Sequence, residues 1–224
     1  MNGATQHIPS DIEARGRFVP GYGVMLQMTA QLIAERIGAE GTLLVLGAGG
    51  GLEIEAFLQW MPRWTYVAVD PDRTMLDAAR ERVRGCGAAG KVSWVDGYIF
   101  DAPLTRHDAA VCLLTLHFVP GEEGKLDTLK ALRARLGPNA PLVLVDLCMD
   151  KHAPDYEARL DQYQRFAVES GADPEQAAST RERVRTVIDT LSPVSEESLI
   201  RDAGFSDVDL FYAGLSWRGW IAHA

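Results

Sequence analysis

The stretch Val45-Leu46-Gly47-Ala48-Gly49-Gly50-Gly51 decides how the chain folds. It closes a short apolar run, Thr42 to Leu46, and precedes Glu53 to Met61, which reads as a helix. A short apolar run that stops at glycines reads as a buried strand. Glycines at a strand-to-helix turn let the backbone approach a ligand without side-chain obstruction. The helix N-terminus beyond them offers amide donors that have no intrahelical partner. Taken alone the feature is weak, because a tight turn uses the same residues.

The neighbouring segments add to it. Trp64 to Val69 is a second apolar run, closed by Asp70. In nucleotide-binding α/β folds a carboxylate about 20 residues past the glycines accepts hydrogen bonds from both ribose hydroxyls. Val92 to Val95 is a third run, and Asp96 after it is placed to accept from the exocyclic amine of an adenine. Either aspartate by itself reads equally well as a helix cap or turn residue. In register, the three features predict a nucleoside site made by Gly47, Ala48, Gly49, Gly51, Asp70, Pro71, Asp96 and Gly97. A dinucleotide fingerprint starting at Gly47 and Gly49 needs a third glycine where Leu52 stands, which argues against a NAD-dependent oxidoreductase.

The rest of the chain continues the alternation. Tyr22 to Ile37 carries Met25, Met28, Leu32 and Ile33 at helical spacing. A helix capped by Asp72 or Thr74 runs towards Arg84, and Glu122 to Leu136 is a helix stopped by Gly137-Pro138. Ala109 to Leu114 and Pro141 to Asp146 supply the fourth and fifth strands. Strand–helix alternation predicts an α/β fold with a parallel sheet covered on both faces. Asp155 to Thr190 breaks the pattern as a long, charged, helical insertion. Ser195 to Ala203 is then a helix capped by Ser195, followed by strands Val208 to Tyr212 and Ser216 to Ala222. The turn between them, with Gly214, is too short for a parallel crossover, so that pair is antiparallel. The expected organisation is a single domain over 1–224, with an N-terminal helical arm 1–38, disordered at Met1 to Ser10, and an insertion 151–192.

Composition narrows the partners. The 224 residues, 47% hydrophobic and 24% charged, suit one packed domain. The net charge of -9 repels a phosphate backbone, and the best basic cluster, Arg181, Arg183 and Arg185 with Arg165 upstream, is thin. Nucleic acid is therefore disfavoured. An apolar stretch such as Thr42 to Leu52 is broken by glycines and too short for a bilayer, so no membrane association is expected. No basic segment followed by an apolar core opens the chain, so no secretory leader is expected. Cys86, Cys112 and Cys148 form no CxxC pair, which fits reduced thiols and a cytoplasmic setting. His and carboxylates do not recur at ligand spacing, so no metal is expected.

The spacing Gly47, Gly49, Gly51, together with the terminal antiparallel pair, resembles the class I S-adenosylmethionine (SAM) dependent methyltransferases over nearly the whole chain. The resemblance implies a Rossmann-like seven-stranded sheet, SAM as cofactor and S-adenosylhomocysteine as product. A narrower set is similar to the carboxy-SAM synthase family and its uncharacterised methyltransferase relatives. It comprises Val19-Pro20-Gly21-Tyr22, Thr115-Leu116-His117-Phe118, the insertion and Leu191 to Phe205. This implies that Tyr22 meets the cofactor near its methionine or carboxylate end and that Leu113 borders it. The chain departs from that family at Leu199, where the family has an arginine, and at Leu113, where it has an asparagine. Both polar contacts to an added carboxylate are lost, so ordinary SAM is expected. Val45 stands where many methyltransferases carry an acid that helps hold the methionine amino group. Loop carbonyls would then carry more of that task.

For the reaction, a methyl donor of this kind needs an aligned nucleophile and exclusion of water. A base helps if the nucleophile starts protonated. His117, after the fourth strand, is the best base, with Tyr22 beside it facing the methyl; each also reads as a packing residue. Asp146 ends the fifth strand and reads as a cap or a site residue. Tyr98 and Trp94 could flank the adenine, although Trp94 within a strand fits the core, and Trp217 could line an acceptor pocket. The insertion, with Tyr156, Tyr163, Arg165 and Arg183, fits a lid or a homodimer contact. The leading function is methylation of a small molecule. Behind it stand a tRNA-modification enzyme, as the narrower resemblance implies, and a non-catalytic SAM-binding module.

Overall fold

The computed structural model describes residues 11–224, so the reading of Met1 to Ser10 lies outside the described residues. The apolar runs form five parallel strands: β1 (Gly41–Leu46), β2 (Trp64–Asp70), β3 (Val92–Asp96), β4 (Ala109–Leu113) and β5 (Pro141–Leu147). The helices are α1 (Asp11–Gly16), α2 (Tyr22–Ile37), α3 (Leu52–Trp60), α4 (Arg73–Gly85), α5 (Glu122–Arg133), α6 (Tyr156–Glu169), α7 (Pro174–Thr186) and α8 (Pro193–Asp202). Strands β6 (Ser206–Gly214) and β7 (Trp217–His223) complete a 7-stranded sheet of order β3-β2-β1-β4-β5-β7-β6. β7 runs antiparallel to both β5 and β6, as the short connection requires. The strand order reverses between β1 and β4, and in open α/β sheets the crevice at that point holds the ligand.

Side chains alternate across each strand, so parity assigns them to a face. Leu43 and Val45 of β1, Val111 and Leu113 of β4 and Val143 and Val145 of β5 join one core with α2, α3, α4 and α6. Leu44, Leu46, Ala110, Cys112, Leu142 and Leu144 join the other core, beneath α5 and α8. Asp146 shares the parity of Leu142 and Leu144 and therefore belongs to the α5/α8 face. The insertion is a helix pair whose Tyr156, Leu160, Tyr163 and Val184 join the same core as Tyr22 and Met25. The segment before α2 is tied down by Trp217 Nε1 donating to Phe18 O (3.0 Å) and Tyr212 OH donating to Pro20 O (2.6 Å).

Several boundaries differ from expectation. α5 ends at Arg133 and not at Leu136, because the amides of Arg135 and Leu136 turn to the carbonyls of Leu132 and Arg133, three residues back. α8 begins at Pro193 and is capped by Ser192, whose hydroxyl accepts from the Ser195 amide (3.0 Å); Ser195 is not the cap. β4 stops at Leu113, since Leu114 has φ 56, a left-handed conformation that cannot continue a strand. Asp72, and not Thr74, caps α4 by accepting from the amides of Thr74 and Met75 at 2.9 and 3.1 Å. Among the described residues no helix is long and apolar enough to cross a membrane.

Candidate active site

The glycine loop is anchored before any ligand arrives. The amides of Gly47 and Ala48 both donate to Val69 O, at 2.9 and 3.1 Å, which ties the loop to the end of β2. Gly47 has φ 75, and a Cβ there would overlap the Thr115 side chain, so only glycine lets the loop pass β4. Gly51, with φ 77, brings the start of α3 against α4, where a Cβ would lie 3.0 Å from that of Ala79. Gly49 differs: a Cβ there would meet only Gly47 O and Met75 Cε, each at 3.8 Å, so this glycine leaves room at the crevice.

Asp70 sits opposite that space. One carboxylate oxygen accepts from the Gly49 amide and the other from the Asp72 amide, both at 2.8 Å. A carboxylate has about four acceptor sites, so each oxygen keeps capacity for a ribose hydroxyl. Pro71 follows on the surface. Asp96 lies in register beside Asp70, and the Gly97 amide donates to Asp70 O (3.1 Å). The structure thus brings together Gly47, Ala48, Gly49, Gly51, Asp70, Pro71, Asp96 and Gly97 at one edge of the crevice. The donor and acceptor set fits an adenosine: acceptors for the hydroxyls, and space kept open by glycine. Asp96 is also ion-paired with Arg73 at 3.1 Å on the surface, so an amine would share it. Trp94 is half-buried with the Arg80 guanidinium 5.6 Å over its ring, rather than fully in the core, and Tyr98 is 64% exposed.

A second group forms at the ends of β4 and β5. The turn Leu116–Phe118 places His117 so that its Nδ1 is hydrogen-bonded to Asp146 Oδ1, both side chains being buried. Leu113 ends β4 just before it and is buried. Trp217 stands edge-on to the His117 ring, with centroids 5.9 Å apart. Two further buried charges lie on the same face, and the sequence reading missed both. Lys125 of α5 donates from Nζ to Leu116 O (2.7 Å). Glu196 of α8 has no hydrogen-bond partner on either carboxylate oxygen. Burial and the neighbouring Asp146 push the Glu196 carboxyl well above its ordinary value, against the opposing charge of Lys125. A signal was present: Lys125 lies on the buried stripe with Thr128, Leu129 and Leu132, and Glu196 on the stripe with Leu199 and Ile200.

On the other side of the glycine loop, Tyr22 opens α2 and is buried. Burial, reinforced by Glu53, raises its phenol above the usual range, which keeps the hydroxyl protonated and neutral. Two arginines of the expected basic patch are ion-paired within the insertion. Arg181 bonds Glu157 and Asp161, Arg185 bonds Glu182, and Arg183 lies 5.5 Å over the Phe118 ring. Among the described residues no group of three or more His, Cys, Asp or Glu is placed to hold a metal ion.

A family profile described as a methyltransferase domain matches residues 44–142, from β1 into β5. The carboxy-S-adenosyl-L-methionine synthase of Aeromonas hydrophila subsp. hydrophila is 25% identical over 208 residues, covering 92% of this chain and 83% of that protein. A solved structure from Nostoc punctiforme PCC 73102, classed as an O-methyltransferase, superposes with TM-score 0.67 at 18% identity over 100% of this chain. An O-methyltransferase family 2 protein from Planctomyces limnophilus DSM 3776, in complex with apigenin, has TM-score 0.61 at 15% identity over 90% of this chain. The chain spans 63% and 60% of the lengths of those two structures, whose likeness is one of fold.

Proposed function

We propose that the chain, whose residues 44–142 match a methyltransferase domain, is a class I SAM-dependent methyltransferase that methylates a small molecule on a group that begins protonated, such as a hydroxyl. The observation that carries this reading is the buried His117–Asp146 pair at the strand ends. When the Nδ1 proton points at a carboxylate, the imidazole is held in the tautomer whose Nε2 carries the lone pair. That arrangement suits removal of a proton from an acceptor. Bound SAM supplies a methyl group on a cationic sulfur. The chain has to hold it, align the acceptor and keep water out.

In this reading Gly47, Ala48, Gly49, Gly51, Asp70, Pro71, Asp96 and Gly97 hold the adenosine, Leu113 borders it, and Tyr22 and His117 face the acceptor side. The chain acts as one catalytic unit, with the arm over 11–38 and insertion 151–192 as covers over the crevice. The small-molecule assignment draws support from the acidic net charge, the paired arginines and the apigenin found with one structural neighbour. The three free cysteines fit a cytoplasmic setting. The narrower resemblance to the carboxy-SAM synthase family implies a second reading, tRNA modification. The buried apolar Leu113 and Leu199 speak against it, because neither can pair with a carboxylate.

Isotope-labelled SAM incubated with metabolite extracts tests the proposal. Wild-type protein is expected to label one acceptor, and His117→Asn to label it about 100-fold more slowly. Equal labelling by both removes His117 as base. S-adenosylhomocysteine binding with no label transfer in any extract leaves a non-catalytic binding module.

A further inference from the structure

Glu53 follows the glycine loop directly, in the first turn of α3. An acid there is ordinary, because helix N-termini favour negative charge. Its depth is not, since only 7% of the residue is exposed. A buried carboxylate is costly unless a cation and hydrogen bonds meet it. Among the described residues no ion pair reaches Glu53. Arg82, one of the two arginines whose charge it feels, bonds Glu55 (2.7 Å) and Gly50 O (2.8 Å) instead.

The charged and titratable groups that Glu53 feels come from four elements. Tyr22 starts α2, Asp70 ends β2, Arg15 lies on α1 and Arg82 on α4. Glu53 thus lies two residues past the glycine loop, on the helix that packs against α2, which Tyr22 opens. The described chain has four buried acids: Glu53, Asp70, Asp146 and Glu196. Asp146 and Glu196 belong to the α5/α8 face, and Asp70 is held by two amides. Val45, buried in the core, presents no polar atom. Once ribose and adenine are placed on Asp70 and Asp96, the cofactor keeps two cations, the sulfonium and the α-ammonium, and only the ammonium can donate hydrogen bonds to a carboxylate.

We propose that Glu53 receives the ammonium of the methionine moiety and so performs from α3 the task that an acid at Val45 would perform from β1. This rests on the SAM site proposed above. The buried acid is then a binding residue kept short of a cation until the cofactor arrives. Burial, with Asp70 adding to it, pushes the Glu53 carboxyl up to about 7, outweighing a hydrogen bond from its own backbone amide and the charges of Arg15 and Arg82. An ammonium beside it favours the carboxylate, so binding releases a proton below about pH 7 and affinity falls as the solution is acidified.

The test is calorimetry of S-adenosylhomocysteine and of 5′-methylthioadenosine, which lacks the amino-acid end, with wild type and the isosteric Glu53→Gln. Titrations near pH 6.5 in two buffers of different ionisation enthalpy count protons. S-Adenosylhomocysteine is expected to bind Glu53→Gln about 10- to 100-fold more weakly, with methylthioadenosine within about two-fold. Wild type is expected to release a proton to the buffer with S-adenosylhomocysteine only, and Glu53→Gln with neither. Unchanged S-adenosylhomocysteine affinity, or an equal loss for both ligands, overturns the assignment. So does the absence of proton release from wild type, which needs no variant to fold. Wild type that binds neither ligand overturns the cofactor site itself, a result distinct from the loss of Glu53 alone.

Discussion

Asp189 grips the turn that carries His117 from the far end of the insertion: its amide donates to His117 O at 2.9 Å. Its carboxylate accepts from the Gly121 amide (2.7 Å), and Lys125 holds the neighbouring Leu116 O. Thr190 next to it donates to Met149 O (2.7 Å) beyond β5. The backbone under the His117–Asp146 pair is therefore fixed from three directions before an acceptor binds. Preorganisation of this kind is what a positioned base requires.

His117→Asn and Asp146→Asn should each lower kcat by about 10²–10⁴ while leaving S-adenosylhomocysteine affinity within about two-fold. Label transfer to the identified acceptor gives the first quantity and calorimetry the second. Full turnover in either variant would mean that the pair only packs.

Asp70→Ala should weaken S-adenosylhomocysteine by about 1–3 kcal/mol, the worth of charge-assisted hydrogen bonds to the ribose. It also strips the Gly49 and Asp72 amides of their acceptor, so the melting temperature of the free protein should fall. Calorimetry on the folded variant decides; an unchanged affinity removes Asp70 from the site.

Glu53→Gln should stabilise the free protein at high pH. The folded chain raises the Glu53 carboxyl to about 7, so folding favours its protonated form. That contribution is fully present below the unfolded value near 4.5 and is lost as pH rises through 7. Glutamine cannot ionise. Urea melts should therefore show little difference near pH 4 and an advantage for the variant of about 2–3 kcal/mol at pH 8. Equal stability at both pH values would contradict the buried acid.

Ordinary SAM should outcompete carboxy-SAM in direct competition. Leu199 and Leu113 are buried and apolar, and an extra carboxylate against them is an unpaired charge. Tighter binding of carboxy-SAM would reverse the assignment made from those two positions.

Hydrogen exchange in residues 155–190 should slow when S-adenosylhomocysteine and acceptor bind, with β1, β4 and β5 unchanged, because covers belong to the less stable parts of a fold. The bonds from Asp189 and Thr190 give the segment a direct link to the His117 turn. High protection already present in the free protein, and unchanged on binding, would make the helix pair a fixed element and turn attention to its role between two copies of the chain.

Sequence alone determined the features that rest on short-range periodicity and turn chemistry. α2 runs over Tyr22–Ile37 as its apolar spacing predicts, the glycine loop joins β1 to α3, and Asp70 and Asp96 end adjacent strands. The terminal strand pair is antiparallel because its connection allows nothing else. Caps and ends went astray where one local signal competed with another, as with Ser192 against Ser195. Tertiary structure decided the chemistry of the buried charges. His117 and Asp146 are 29 residues apart, and only the pairing of β4 with β5 brings them together. Lys125, Glu196 and Glu53 read along the chain as ordinary helix charges, although each occupies a position of its helix's buried stripe. Whether a charge on that stripe turns out to water or inwards depends on the layer packed against it. That packing sets the desolvation cost, and so which carboxyls stay protonated and which await a cation.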